Sequence, residues 1–504
     1  MFRLHRVLIA YAVAIPMALI LGYLVATPDM DSIAVIGMVF FFLTLPLLIQ
    51  WNHFLLIFLW NSVFVAGFLP GELPLWTIFA VLTFGMGVVH RVMGHRSFLS
   101  APELTKPILM LATVVLVTMK VRGGLGLRAF GSASFGGKHY FYVLAGILGY
   151  FALTSQPIAV AKSGRAAKWF FLSGLSFVLS NLIYVLGPAF YLVYFFVSPD
   201  AAMGQAQADF EQNMVRRFAG LGPCSIGLLC FVLARWGLRG VFQWHKPWRI
   251  SLFLLAIVMG LFSGFRSEIA LFGILLFFQF FVEGLWKTGF FPAFALAVIL
   301  CLAPVFLFAN RMPMAIQRTL ALLPVNIDPQ VRLETTSSTE WRRDMWREVW
   351  PEVPNYLLVG KGYGIDPLDL YLTNEAVKMG IFQSYEESIL AGDYHNGGLS
   401  VLMPFGIFGA IAFLWMLAAG IKVLYCNYRY GDSRLKSINA FLLSYFMAQC
   451  VIFFAVFGAL DAPQSAFLGL LGLSVSLNSG VRRKMTQAKP NFLKPAMQPA
   501  LVAA

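Results

Sequence analysis

The amino-acid sequence predicts an all-α polytopic membrane protein with about 12–14 transmembrane helices and one long polar loop. Three observations carry this reading. Of 504 residues, 59% are hydrophobic and only 12% charged, outside the habit of soluble domains. Apolar runs of about 18 residues or more recur throughout, each long enough to cross a hydrocarbon core about 30 Å thick. The runs are continuous rather than alternating, which excludes a membrane barrel.

In order, the runs are residues 7–26, 32–49, 54–70, 74–89, 105–121, 140–157, 169–190, 222–238, 249–265, 267–284, 288–308, 396–420, 437–458 and 464–479. The first follows Met1-Phe2-Arg3-Leu4-His5-Arg6, which has the look of a secretory leader. It runs for about twenty residues, and no small-residue cleavage site precedes the acidic turn at 27–31, so it is expected to stay as the first span. An even number of spans puts both termini in the cytoplasm. On that side fall 22 of the 37 Lys and Arg, accompanied only by Glu103, Glu283 and Asp432, as the positive-inside rule requires.

The net charge of +14 invites a nucleic-acid partner, yet the basic residues are scattered among short loops with no basic arm, so none is expected. Five cysteines (Cys224, Cys230, Cys301, Cys426, Cys450) lie in or beside apolar runs without CxxC spacing. They read as small core residues rather than a disulfide framework or zinc site.

The chain thus divides into an amino-terminal bundle over 1–308, a polar loop over 309–394, carboxy-terminal helices over 395–480, and a basic tail over 481–504 expected to be disordered. Charge places the loop outside the cytoplasm. Within it, Ser337-Ser338-Thr339-Glu340 has the capping-box pattern and is expected to open a helix. Trp341, Met345, Val349 and Trp350 recur at helical spacing until Pro351 and Pro354. Such a Trp-rich amphipathic helix is expected to lie on the membrane surface.

The candidates for chemistry are polar residues at the mouths of spans. His5, His53, His90, His95 and His245 fall on the cytoplasmic side, and only His139 and His395 face outward. His395 stands in Gly392-Asp393-Tyr394-His395-Asn396-Gly397-Gly398-Leu399-Ser400, where the loop meets a span. A neutral histidine there suits a general base; a solvated interfacial histidine is the plainer reading. Asp393 could orient it. Arg266 divides two apolar runs with almost no loop between them, where an arginine costs roughly 2.5–3.5 kcal/mol. It clamps a phosphate, pairs with Glu268 or snorkels to the interface.

Arg342, Arg343 and Arg347 lie on the amphipathic helix, where contact with anionic headgroups is the ordinary role. Gly360-Lys361-Gly362-Tyr363-Gly364 reads as a phosphate cradle or a tight turn. The glycine-rich loop 121–140, with Arg122, Arg128, Lys138 and His139, breaks the positive-inside pattern and could bring its backbone close to a ligand.

The order of these parts, Ser263-Gly264-Phe265-Arg266-Ser267, then Arg342 with Trp346, then Gly360-Lys361-Gly362, then His395-Asn396, resembles the O-antigen ligase and O-antigen polymerase superfamily of bacterial inner-membrane glycosyltransferases. The likeness covers residues 250–420. It implies a GT-C-like helical fold and transfer of a glycan from an undecaprenyl-diphosphate carrier at the periplasmic face, by inversion, with no cofactor and no metal. The acceptor would be a glycan, lipid or protein hydroxyl, in surface polysaccharide or lipopolysaccharide biosynthesis. By that resemblance His395 is the base, Arg266, Arg342 and Arg343 hold the donor diphosphate, and Asn396, Asp393, Gly360, Gly362, Arg122 and Arg128 support them. Phe265, Glu268 and Gly397-Gly398 depart from the usual pattern.

A polytopic transporter or flippase of lipid-linked glycans is the alternative. It predicts ionisable groups along span interiors, whereas here they gather at one membrane face. A non-catalytic scaffold for polysaccharide assembly would tolerate loss of His395.

Overall fold

The computed structural model describes residues 22, 30–67, 69, 71–94, 98–126, 134–210, 215, 217–243, 245–289, 292, 296, 299, 303, 307–321 and 323–483. All of the run at 7–26 except residue 22, most of that at 288–308, His5, His95 and Arg128 lie outside the described residues.

Among the described residues the chain is all-α apart from one two-residue-stranded hairpin. The helices are α1 (Met30–Leu59), α2 (Leu75–Val92), α3 (Pro102–Arg122), α4 (Gly137–Leu153), α5 (Val160–Leu172), α6 (Val178–Leu186), α7 (Asp200–Phe210), α8 (Leu221–Val241), α9 (Pro247–Phe262) and α10 (Arg266–Val282). Next come α11 (Met314–Leu320), α12 (Pro329–Val349), α13 (Val353–Tyr356), α14 (Pro367–Lys378) and α15 (Tyr385–Ala391), all in the polar loop. The chain then returns to the bundle with α16 (Gly397–Tyr430), α17 (Lys436–Ala455) and α18 (Asp461–Asn478). Among the described residues, six helical segments are long and apolar enough to cross a membrane, and Leu43–Leu59, Pro247–Phe262 and Ser465–Asn478 are shorter apolar helices.

Where an apolar run is uninterrupted, the expected span and the helix coincide closely, as for α3, α10 and α17, whereas α16 continues to Tyr430, past the expected end at 420. The runs 32–49 and 54–70 do not form two spans. One helix, α1, passes through both, because the polar residues between them find partners without a loop: Asn52 donates to the Ile49 carbonyl at 2.5 Å and His53 Nε2 lies 2.8 Å from the Leu153 carbonyl. Residues 65–74 then form the hairpin β1 (Val65–Ala66) and β2 (Leu73–Pro74) instead of finishing a span. The run 169–190 starts inside a longer helical stretch, α5 and α6 being joined by a 3-10 turn over Ser173–Phe177.

The largest buried cluster draws on α3, α4, α8, α16, α17 and α18, with α8 packed between α9 and α17 and α3 packed along α16. At the end of the bundle away from His395, Asn439 and Asn478 exchange side-chain hydrogen bonds near 3 Å, and Asn427 donates to Ser474 at 3.0 Å. Buried amides in such a place are tolerated because they satisfy one another.

Helix α16 is broken at Gly406 (φ 63°), two residues after Pro404. A helix break at membrane depth leaves backbone groups unpaired unless protein covers it. Residues 357–362 do so. Ile407 N donates to the Leu357 carbonyl at 2.7 Å, and the Met403 and Pro404 carbonyls accept from the N–H groups of Lys361 and Gly362 at 2.7 and 3.0 Å. The opposite side is tied to α3, where Thr118 donates to the Val359 carbonyl and Arg122 Nε to the Gly360 carbonyl at 2.8 Å. Gly360 has φ 82°, and a Cβ there would collide with the Pro404 carbonyl.

A second close approach occurs at Gly397, the first residue of α16, which leaves no space for a Cβ against the Phe453 carbonyl, whereas Gly398 faces open space apart from the Asn396 side chain. Gly397→Ala is expected to destabilise the chain by about 1–3 kcal/mol, and Gly398→Ala to be silent. Thermal unfolding of the two detergent-purified variants side by side checks this, and equal melting would contradict the packing.

Candidate active site

The loop that carries His395 is fixed from both sides. Helix α15 ends at Gly392 in a left-handed conformation (φ 77°), the usual glycine stop, and Asp393 N donates to the Ser388 carbonyl at 2.9 Å. Asn396 then caps α16, its Oδ1 accepting from Leu399 N at 3.2 Å. Asn396 is therefore a helix cap in this structure.

Between these stops His395 itself is left-handed (φ 48°), a conformation that costs a non-glycine residue about 1–2 kcal/mol. It persists because its neighbours over-determine it. Tyr394 is buried, and Trp346 Nε1 donates to its carbonyl at 2.8 Å. His395 N donates to Asp393 Oδ1 at 3.2 Å. The imidazole packs against Trp341 and Phe457, with ring centroids 5.4 and 5.0 Å away.

The spacing Arg342-x-x-x-Trp346 now has a physical meaning. Residues four apart share a helix face, so one face of α12 presents Trp346 to the peptide before His395 and Arg342 to the imidazole itself. Arg342 is half-buried with its guanidinium 5.7 Å over the Phe457 ring, while Arg343 is exposed. Of the pair, Arg342 is the one that lies near His395.

His395 Nδ1 is buried, lies 3.5 Å from Asp393 Oδ1, and among the described residues has no hydrogen-bond partner. Burial depresses the imidazole's affinity for a proton, Asp393 raises it, and Arg342 lowers it, with a net shift below the ordinary value. The ring is therefore neutral at neutral pH, the state a general base requires.

The cations around it were only partly legible. Arg266 opens α10 and makes long contacts, 3.4 Å each, to the Thr335 carbonyl and Thr339 Oγ1 of α12. It does not pair with Glu268, whose carboxylate turns inward to accept from Ser263 Oγ at 2.8 Å and Ser225 Oγ at 3.4 Å. Arg318 on α11 is buried, donates to the Gly264 carbonyl at 2.9 Å, and approaches Glu334 to 2.9 Å. Arg217 reaches the same carboxylate at 3.9 Å.

The four guanidiniums sense one another. Burial and the Arg318 charge push Arg217 down to about 10, and burial with Arg318 likewise lowers Arg342 against the pull of Asp393. Arg266 lies within the fields of both Arg318 and Arg342. Four arginines thus share two nearby carboxylates, Glu334 and Asp393, a local excess of positive charge that favours an anion.

Other expectations are redirected. Gly360-Lys361-Gly362 is no cradle for phosphate: its three N–H groups go to the carbonyls of Tyr356, Met403 and Pro404. Arg122 holds the Gly360 carbonyl and lies over Tyr356. Gly124, Gly136 and Gly137 of the 121–140 loop approach protein backbone, a Cβ at Gly136 colliding with the Tyr363 carbonyl. His139 stacks on Tyr363 at 4.9 Å. Helix α12 starts at Pro329, capped by Asp328, whose side chain accepts from Gln330 N at 2.8 Å, so the Ser337–Glu340 pattern lies inside the helix. Nor does the 341/345/349 face lie on a membrane. Met345 and Val349 are buried against Ile389, Tyr394, Leu399 and Met403.

An apolar cavity of about 450 Å³ opens next to this group, walled by Phe265, Leu271, Ile452, Phe453 and Phe457, with Ser267 beside Arg266. Residues 251–414 match the family model described as O-antigen ligase. Over that segment the chain is similar to the O-antigen ligases. Together with the apolar helices, this likeness supports a multi-pass membrane protein with a glycosyltransferase-type role in polysaccharide biosynthesis. The matched segment holds Arg266, Arg318, Glu334, Arg342, Trp346 and His395; Arg217 and Phe457 are supplied from outside it. No curated protein matches the chain.

Because Trp346 touches the peptide before His395 rather than the reacting groups, it is a positioning residue. Trp346→Phe, which keeps the ring but removes the N–H, is expected to lower turnover by up to about 10²-fold while leaving donor affinity near wild type. Steady-state kinetics with a direct donor-binding measurement check this; equal losses in both would point to a general folding defect.

Proposed function

We propose that the protein transfers a glycan from an undecaprenyl-diphosphate carrier to an acceptor hydroxyl at the periplasmic face of the bacterial inner membrane, as an O-antigen ligase or polymerase. The observation that carries the reading is a neutral, half-buried histidine set beside four arginines that share two carboxylates.

In this mechanism His395 accepts the proton of the acceptor hydroxyl as that oxygen bonds to the anomeric carbon of the donor sugar. The bond from that carbon to the diphosphate oxygen breaks on the opposite face, so the configuration inverts. Undecaprenyl diphosphate leaves with the bonding pair. Arg266 and Arg342, joined by Arg318 and Arg217, offset the charge that grows on the leaving oxygen. Electrostatic neutralisation by guanidinium takes the place of protonation, so the reading calls for no metal.

Profiling undecaprenyl-linked glycans in the host with and without the gene tests the class. Build-up of single repeat units marks a polymerase and build-up of long chains a ligase. An unchanged profile, with redundancy excluded, would remove the reading and favour a transporter. For the reconstituted protein, His395→Ala is expected to lower transfer by about 10²–10⁴-fold while insertion is retained.

The pH profile gives a finer test. Protonated His395 cannot accept a proton, so kcat/KM falls as pH drops through its pKa, which lies below the ordinary value. Asp393→Asn removes the charge that raises that pKa and should move the acid limb to lower pH. Arg342→Gln removes a charge that lowers it and should move the limb to higher pH. Shifts in the same direction would contradict the arrangement.

A further inference from the structure

The site described above does not use a second cavity of about 300 Å³ at the same end of the bundle, lined in part by Trp76, Tyr142, Phe64, Glu72 and Lys138. All of these residues lie outside the matched segment 251–414. Its walls are held by backbone. The segment before α7 pairs along the hairpin, Val65 N donating to the Phe196 carbonyl at 3.0 Å and Ser198 N to the Val63 carbonyl at 3.0 Å. Trp76 is locked against Trp60 with ring centroids 5.0 Å apart, and Lys138 Nζ sits 5.8 Å over the Tyr142 ring.

The mixture is unusual for a bundle this apolar. Aromatic rings form one part of the lining, and carboxylates, an ammonium and the hydroxyls of Ser62 and Ser198 form another. Glu72 is exposed and held at φ 50°, a strained conformation for a side-chain-bearing residue and one that accumulates at functional positions. Asp200 accepts from Ser198 Oγ at 2.8 Å, which fixes its carboxylate at the rim.

We propose that this cavity is a saccharide subsite that holds part of the glycan away from the transfer centre. A sugar ring has apolar C–H faces that stack on aromatic rings and a girdle of hydroxyls that pair with carboxylate and ammonium groups, and the cavity supplies both in a pre-organised pocket of ligand size. It also lies on the right path. It shares Phe177 and Asp200 with the apolar cavity that ends at Phe457, the residue against which His395 and Arg342 rest. A glycan could therefore be read at one end while its reactive end lies at the other. This selection rests on the glycan-transfer reading above, but the binding does not depend on the diphosphate.

The probe is the free oligosaccharide released by mild acid from the host's own surface polysaccharide, which carries no lipid and no diphosphate. Titrated into the full-length protein in detergent, it is expected to quench tryptophan fluorescence saturably and to give saturation-transfer NMR signals. Glu72→Gln and Lys138→Gln, both substitutions of exposed side chains, should each weaken binding by about five- to tenfold, and Trp76→Phe should remove most of the quenching while the NMR signals persist. His395→Ala should bind like wild type while losing transfer. Absence of saturable binding at millimolar oligosaccharide, equal binding by an unrelated dextran fragment, or unchanged binding by both charge variants would overturn the subsite. If wild type transfers glycan without such binding, the subsite fails and the transfer reading stands. If His395→Ala transfers normally yet binds, the base assignment fails and the subsite stands.

Discussion

A peptide group inside a bilayer has no water to fall back on, and this constraint organises the protein around the break in α16. Pro404 and Gly406 interrupt the helical ladder, and the carbonyls released there are taken up by a segment returning from the polar loop. That single repair explains a long series of otherwise scattered residues. Gly360 and Gly362 permit the approach, Thr118 and Arg122 hold the far side of the segment, and Tyr140 accounts for the N–H of Tyr363 at 3.0 Å. The same repair locks the first turns of α16, whose cap is Asn396 and whose preceding residue is His395.

A second layer of the design is electrical. Several buried polar groups are satisfied within the protein, the asparagines at the far end by pairing, Glu268 by two serines. Around Arg266, Arg318, Arg342 and Arg217 positive charge is in excess, with Glu334 shared between two guanidiniums. A local excess of partly buried positive charge is where binding chemistry is to be sought. The histidine sits at the edge of that field, close enough for Arg342 to depress its proton affinity.

The parts of this arrangement that could be read from sequence were those that broke a pattern. His395 and Arg266 are polar where the surroundings are apolar, and helices such as α3 and α17 follow runs that nothing interrupts. What could not be read depended on partners far away in the chain. The polar stretch at Asn52-His53 signals a loop until the Leu153 carbonyl is seen beside His53. Arg318 and Glu334 lie in a polar loop where a charge attracts no notice, and Arg217 meets them only in the fold. Two start signals compete for α12, the Asp328-Pro329 pair and the capping pattern at 337–340, and local sequence does not rank them. The apolar stripe of that helix was visible; that it faces Tyr394 and Met403 rather than lipid was not, since either surface would satisfy it.

The way the loop is moored has a consequence for how it can vary. It is fastened along α11 and α12 by Arg318 and Trp346, again at 357–365 by the broken helix and the Phe135–Ile365 bridge, and finally at Asp393–Asn396. Between the last two moorings, α14 buries none of its residues. Insertions, deletions or a grafted tag are therefore better tolerated across 367–382, where the contacts disturbed are those of α14 with itself and with α15. One residue added to 357–365 would shift every hydrogen bond that seals α16.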